Sequence, residues 1–226
     1  NQDLKLHLPH RLCDKEMIID KEKKFVFIHV PRTGGTSITK AFQHRNDQEV
    51  YNKVKKKWKE RTDSLLYDHV DHCTMNILPS SFWNLYEYKF MFVRNTWDRL
   101  ASYFFKIVDR PSAPWIPGPK EKDFDRFIKT IYANWSNNKS YFLFEKAQID
   151  WRHDLIDEVI NFEDVDRRWG YILSRCGVNY VRREHYNSRP ERFKNIKKYR
   201  DMYTPELYDM VYDVFRKEIE YFNFRY

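Results

Sequence analysis

The sequence predicts one α/β domain over residues 25–226, a central parallel β-sheet flanked by helices, behind an N-terminal arm at 1–24. Three observations carry this. Strand-length apolar runs stand at 25–30 (FVFIHV), 89–94 (KFMFVR) and 159–162 (VINF). They are β-rich and mostly apolar, the first as in a strand covered on both faces. Helical patterns separate them, which is the order that parallel pairing requires.

The elements follow in chain order. Residues 1–24 are polar and mixed, and are expected to form a partly ordered arm. After the first strand a helix starts over 36–43. Residues 44–64 are charged and lack a clean period, so a surface helix or loop is expected. Residues 80–86 predict a short helix with Ser80 as N-cap. Asn95 or Thr96 opens a helix over 97–108. Four prolines and Gly118 make 109–122 a loop. Helical patterns resume at 123–135 and 141–151. Behind the third strand, Asp164 or Asp166 starts a helix that Gly177 ends at the C′ position. Residues 179–203 are basic and irregular. Thr204-Pro205-Glu206 then opens the closing helix, with Thr as N-cap and Pro at the first helical position. Leu207, Met210, Val211, Val214, Phe215 and Phe222 mark its apolar face.

Composition narrows the class. The 226 residues are 42% hydrophobic and 18% aromatic, enough for a core and against global disorder. Net charge is +8, from 41 basic and 33 acidic residues. It concentrates at 53–59 (KVKKKWK) and at 182–200, where eight Lys/Arg face two Glu. Such a surface suits nucleotides, anionic glycans or other polyanions. The three cysteines, Cys13, Cys73 and Cys176, are far apart and form no zinc-site pattern. No metal is expected. The cysteines suggest a reducing compartment or simply buried thiols, and a soluble or cytoplasmic location is expected, since no apolar run has transmembrane length.

Two segments carry chemistry. Of five glycines, Gly34 and Gly35 stand side by side in Pro31-Arg32-Thr33-Gly34-Gly35-Thr36-Ser37, between a strand and a helix. Helix N-termini leave N–H groups without intrahelical partners, and glycines let an anion approach them closely. Arg32 adds a permanent cation with forked geometry. The geometry is P-loop-like. It is not a Walker A loop, because that pattern needs Gly at 30 and Lys at 36, where this chain has Val30 and Thr36. In the second segment Arg94 ends a strand, and Ser102 lies in the first two turns of the next helix. Both can converge on one anion at the carboxyl edge of the sheet, where open α/β sheets bind ligands. The plainer reading pairs Arg94 and Arg99 with Asp98 or other acids.

Taken together, HVPRTGGTSI and FMFVRNTWDRLASYF resemble the paired nucleotide-binding motifs of the sulfotransferases, in the carbohydrate-type branch that includes heparan 2-O-sulfotransferase-like enzymes and bacterial relatives. Those proteins usually carry Lys where Arg32 stands and Pro where Thr96 stands. The second change is expected to matter little, since Thr also opens helices. His72-Cys73-Thr74 sits where relatives carry an H-x-T/S segment. The stretch from His185 to Phe224 resembles their closing segment and last helix. The likeness covers roughly 24–226.

The resemblance implies a donor, 3′-phosphoadenosine 5′-phosphosulfate (PAPS), and a sulfuryl transfer to a hydroxyl, that of a carbohydrate or small molecule. It implies that residues 31–37 hold the 5′-phosphosulfate and that Arg94 and Ser102 hold the 3′-phosphate. Ser188 and Arg189 are expected to close over the nucleotide. Arg32 is expected to stabilise the leaving phosphate. The base is expected to be His72, with His69 as competitor, because Asp68-His69-Val70 matches half of an H-x-H-V segment in the heparan 2-O-type enzymes. His29 is expected to line the nucleotide end. No nucleic-acid partner is expected. Two other readings stay open: a P-loop-type ATP-dependent kinase and a basic polyanion- or nucleic-acid-binding module.

Overall fold

A computed structural model describes residues 17–61, 79–109, 123–137, 148–151, 154–179, 181–183 and 198–226. Its centre is a four-stranded sheet in the order β1 (Ile18–Ile19), β2 (Phe25–Ile28), β3 (Tyr88–Val93), β4 (Glu158–Asn161). β2, β3 and β4 run parallel, while β1 is antiparallel to β2. The helices are α1 (Gly35–Phe42), α2 (Gln48–Arg61), α3 (Ser80–Trp83), α4 (Thr96–Asp109), α5 (Phe124–Ser136), α6 (Val165–Arg175) and α7 (Pro205–Tyr221). None among the described residues is long and apolar enough to cross a membrane.

The three apolar runs form the parallel strands, and the reason is visible in their side chains. Strand residues alternate between faces. Phe25, Phe27, Phe90 and Phe92 point to one side, against Ile38 and Phe42 of α1 and Trp169, Ile172 and Leu173 of α6. Val26, Ile28, Met91 and Val93 point to the other, where α4, α5 and α7 contribute Leu100, Phe104, Phe127, Val211 and Phe215. The phenylalanines interlock across the strands, with Phe27 5.2 Å from both Phe90 and Phe92 in tilted and edge-on geometry.

Local chemistry fixes the helix ends. The Asn95 side chain accepts from the Trp97 N–H at 3.2 Å and opens α4. Asp123 accepts from Arg126 N–H and opens α5. Thr204 accepts from Leu207 N–H, with Pro205 at the first helical position of α7. Gly177, at φ 62°, ends α6: its N–H bonds Ser174 O, and that of Val178 bonds Leu173 O.

Four expectations shift. Ser80 is the first residue of α3 rather than its N-cap, which is Pro79. The third strand ends at Asn161, and Phe162 begins a 3-10 turn to Asp164. Of the helical pattern at 141–151, only Gln148–Trp151 lies among the described residues, as a 3-10 turn. The largest correction is at the N-terminus. Residues 17–20 are part of the sheet layer rather than an arm: Met17, Ile18 and Ile19 are fully buried. The turn behind them is held by Asp20, whose carboxylate accepts from Lys24 N–H at 2.9 Å and from Arg45 Nε at 2.8 Å. Ile19 N–H donates to the Asn46 side chain at 2.9 Å.

Burial of this strand has a measurable consequence. Truncating a buried Ile to Ala costs about 2–5 kcal/mol, whereas a residue in a solvated arm costs almost nothing. Ile18→Ala is therefore expected to lower the urea midpoint clearly with an unchanged m-value.

Candidate functional site

Because β2 and β3 pair in parallel, with Ile28 opposite Met91, their carboxyl ends lie side by side. The two segments singled out in the sequence leave the sheet from those ends. The first runs from Pro31 to Ser37 into α1. Arg32 sits at φ 66° and Gly34 at φ 84°, both in the left-handed region. For a non-glycine such as Arg32 that conformation costs of order 1–3 kcal/mol, and it concentrates at ligand clamps. Burial alternates along the loop. Pro31, Thr33, Gly35 and Ser37 are buried, while Arg32, Gly34 and Thr36 are partly exposed. The Thr33 hydroxyl turns inward and donates to Val30 O at 2.8 Å. It braces the turn.

The two glycines are required by close packing. A Cβ on Gly34 would lie 2.3 Å from the Phe162 ring, and one on Gly35 would lie 2.1 Å from the His29 ring. His29 is thus a buried support beneath the loop, stacked on Phe27 at 5.9 Å, rather than a residue lining an open nucleotide end.

The second segment starts with Arg94. Its Nη1 donates to Arg32 O at 3.2 Å, its Nε donates to Asp98 at 2.6 Å, and its guanidinium lies 4.6 Å over the Phe162 ring. One turn beyond Asp98, Ser102 Oγ accepts from Arg32 Nη2 at 2.7 Å and from Nε at 3.2 Å, and Ser102 O accepts from Nη2 at 3.1 Å. Arg32, Arg94 and Ser102 therefore form one contiguous edge. The N-terminal turns of α1 and α4 flank it and add partial positive charge. The carboxylate on Arg94 in these contacts is Asp98. The bonds to Asp98 and Arg32 O use two of the five Arg94 donors. A hydroxyl, two forked cations and two helix N-termini match the chemistry of a ligand with phosphate at both ends.

Behind the edge lies a buried polar cluster. Gln148 accepts from Arg94 N–H at 2.8 Å and donates Nε2 to Arg94 O at 2.8 Å. Its own N–H bonds the Glu218 carboxylate, and Nε2 reaches Glu218 Oε1 at 3.0 Å. Glu218 also accepts from the Thr96 hydroxyl at 2.5 Å and lies 3.7 Å from Arg99 Nη2. Gln148 and Glu218 are completely buried, and Arg99 is 1% exposed. Burial draws the Arg99 guanidinium below its ordinary value, opposed by the charge of Glu218. Thr96 does more than open a helix, contrary to the sequence expectation. Its hydroxyl is a buried donor that a proline cannot replace.

The expected site residues thus divide. Arg32, Arg94, Ser102 and the loop 31–37 come together. His69, His72, Ser188 and Arg189 lie outside the described residues. The plainer expectation is also met, since Arg94 pairs with Asp98 and Arg99 with Glu218. Gln148, Phe162 and Glu218 were missed. Glu218 had a signal: it interrupts the apolar stripe Leu207, Val211, Phe215, Ile219 of α7. A carboxylate in such a stripe needs a buried partner.

The glycine packing predicts a reciprocal pair of variants. Gly35→Ala overpacks the site against His29 and is expected to cost about 1–3 kcal/mol in urea unfolding. Adding His29→Ala is expected to restore part of that loss, because the ring that met the new methyl is removed.

No curated protein and no solved structure matches the chain. The model of the sulfotransferase family matches residues 15–225, which takes in β1, both ends of the paired edge and the whole of α7. With the parallel sheet and the paired motif segments in place, that match settles the relationship: the chain belongs to the PAPS-dependent sulfotransferase family and is an enzyme of that kind.

Proposed function

We propose that the enzyme moves a sulfuryl group from PAPS to a carbohydrate hydroxyl, with Arg32, Arg94 and Ser102 gripping the donor. The observation that carries this reading is the direct contact of the two motif segments, the Arg32 guanidinium on Ser102 and the Arg94 guanidinium on Arg32 O. When bound, the donor supplies an activated sulfuryl group: the acceptor O–S bond forms and the S–O bond to the 5′-phosphate breaks.

The residues divide the work. Arg94 and Ser102 bind the 3′-phosphate. The amides of residues 33–36, with the N-terminus of α1, hold the 5′-phosphate. Arg32 reaches from that loop to Ser102, so its forked group is suited to contact both ends of the nucleotide. A lysine ammonium is a point charge and cannot supply the same two-nitrogen contact to one hydroxyl. As the S–O bond breaks, charge grows on the 5′-phosphate, and the loop amides and Arg32 stabilise it. Sulfuryl transfer resembles phosphoryl transfer in that positioning and charge stabilisation are most of the catalysis.

The acceptor proton requires a base near neutral pH, for which histidine is suited. The family resemblance assigns it to His72, with His69 next. The same resemblance assigns Ser188 and Arg189 to closing over the nucleotide. The net charge of +8 favours an anionic glycan as acceptor.

Four outcomes are expected. Adenosine 3′,5′-bisphosphate at 100 times its Kd should raise stability by about 2.7 kcal/mol in a thermal shift, while ATP with magnesium should not. The reverse result would return the chain to the kinase reading. Arg94→Ala should abolish the bisphosphate shift, and Arg32→Ala should lower kcat by about 10²–10³-fold. His72→Ala should keep the bisphosphate shift and lose turnover; normal turnover would move the base to His69.

A further inference from the structure

We propose that Gln148, held by Glu218, which Thr96 holds in turn, is a positioning residue that orients Arg94 for the 3′-phosphate of the donor. This rests on the donor reading above. The β3–β4 ladder ends at Val93 opposite Asn161, so Arg94 is the first residue beyond it. At that residue the Gln148 side-chain amide takes the place of a neighbouring strand. It bonds both main-chain groups of Arg94, each at 2.8 Å. Fixing the two peptide units on either side of its Cα fixes the direction of the Arg94 Cα–Cβ bond. Asp98 and the Phe162 ring then fix the guanidinium, at 2.6 and 4.6 Å.

Gln148 is itself gripped. Its N–H and Nε2 both donate to Glu218, a fully buried carboxylate. A buried carboxylate is costly unless hydrogen bonds and a countercharge surround it. Here Thr96 donates from the first turn of α4, and Arg99 lies 3.7 Å away on the next turn. The chain of contacts starts in α4, crosses α7 through Glu218, and returns through Gln148 to Arg94, two residues before α4. An apolar core would hold α4 and α7 together equally well. What the polar cluster adds is the set peptide at Arg94. A side chain already held in its binding geometry loses little freedom when the ligand arrives.

The test compares two ligands that differ only at the 3′ position, adenosine 3′,5′-bisphosphate and adenosine 5′-phosphate, by calorimetric titration on the full chain. Gln148→Met keeps the volume and removes both contacts to Arg94. It is expected to weaken bisphosphate binding about tenfold and leave 5′-phosphate binding unchanged, so the affinity ratio collapses. Thr96→Val removes one hydroxyl at constant size and should move the same ratio in the same direction by a smaller factor, which keeps the inference testable if Gln148→Met does not fold. A purely structural role would lower the melting temperature and leave the ratio intact. A retained ratio in a folded Gln148→Met or Thr96→Val protein therefore overturns the inference alone. A wild-type protein with no preference for the bisphosphate overturns the donor reading beneath it.

Discussion

Parallel pairing of β2 with β3 is the constraint on which the rest depends. Each strand delivers an arginine at or beyond its carboxyl end, and the register of Ile28 with Met91 brings those ends together. Had either strand run the other way, Arg32 and Arg94 would stand at opposite edges of the sheet. Instead the carbonyl of one accepts from the guanidinium of the other. The pairing is secured by apolar packing on both faces, with a phenylalanine ladder on one and aliphatic side chains on the other. The core thereby determines where the charges meet.

Charge at the edge is balanced by different means on its two sides. Toward solvent, Asp98 pairs with Arg94 and the helix N-termini add positive potential, which favours an anion. Toward the interior, Glu218 and Arg99 are a buried ion pair with hydrogen bonds from Thr96 and Gln148. Pairs of this kind contribute little net stability over an apolar replacement, and their better-attested use is to specify one arrangement. Here that arrangement is the peptide that carries Arg94.

The sequence made the parallel strands legible because each centres on a short β-rich apolar stretch, with a helical segment between it and the next. It did not show β1, because Ile18–Ile19 is too short to display any period. The loop 31–37 and the Arg94–Ser102 segment were legible from residue type and spacing. The reason for the glycines was not, since the Phe162 and His29 rings that exclude a Cβ become neighbours only on folding. Asp98 was legible as the i,i+4 partner of Arg94. Gln148 was not, because it lies 54 residues from Arg94 and a glutamine carries no signal of its own. Thr96 was misjudged for a related cause: a cap residue is read locally, while its hydroxyl serves Glu218, 122 residues away.

The central claim is that one sheet edge grips both phosphates of an adenosine bisphosphate. The most direct measurement is a crystal structure of the protein with adenosine 3′,5′-bisphosphate. The account predicts the 3′-phosphate within hydrogen-bond distance of Arg94 and Ser102, and the 5′-phosphate on the amides of residues 33–36 with Arg32 between them. A nucleotide bound elsewhere, or bound here with its 3′-phosphate turned away from Arg94, would contradict it.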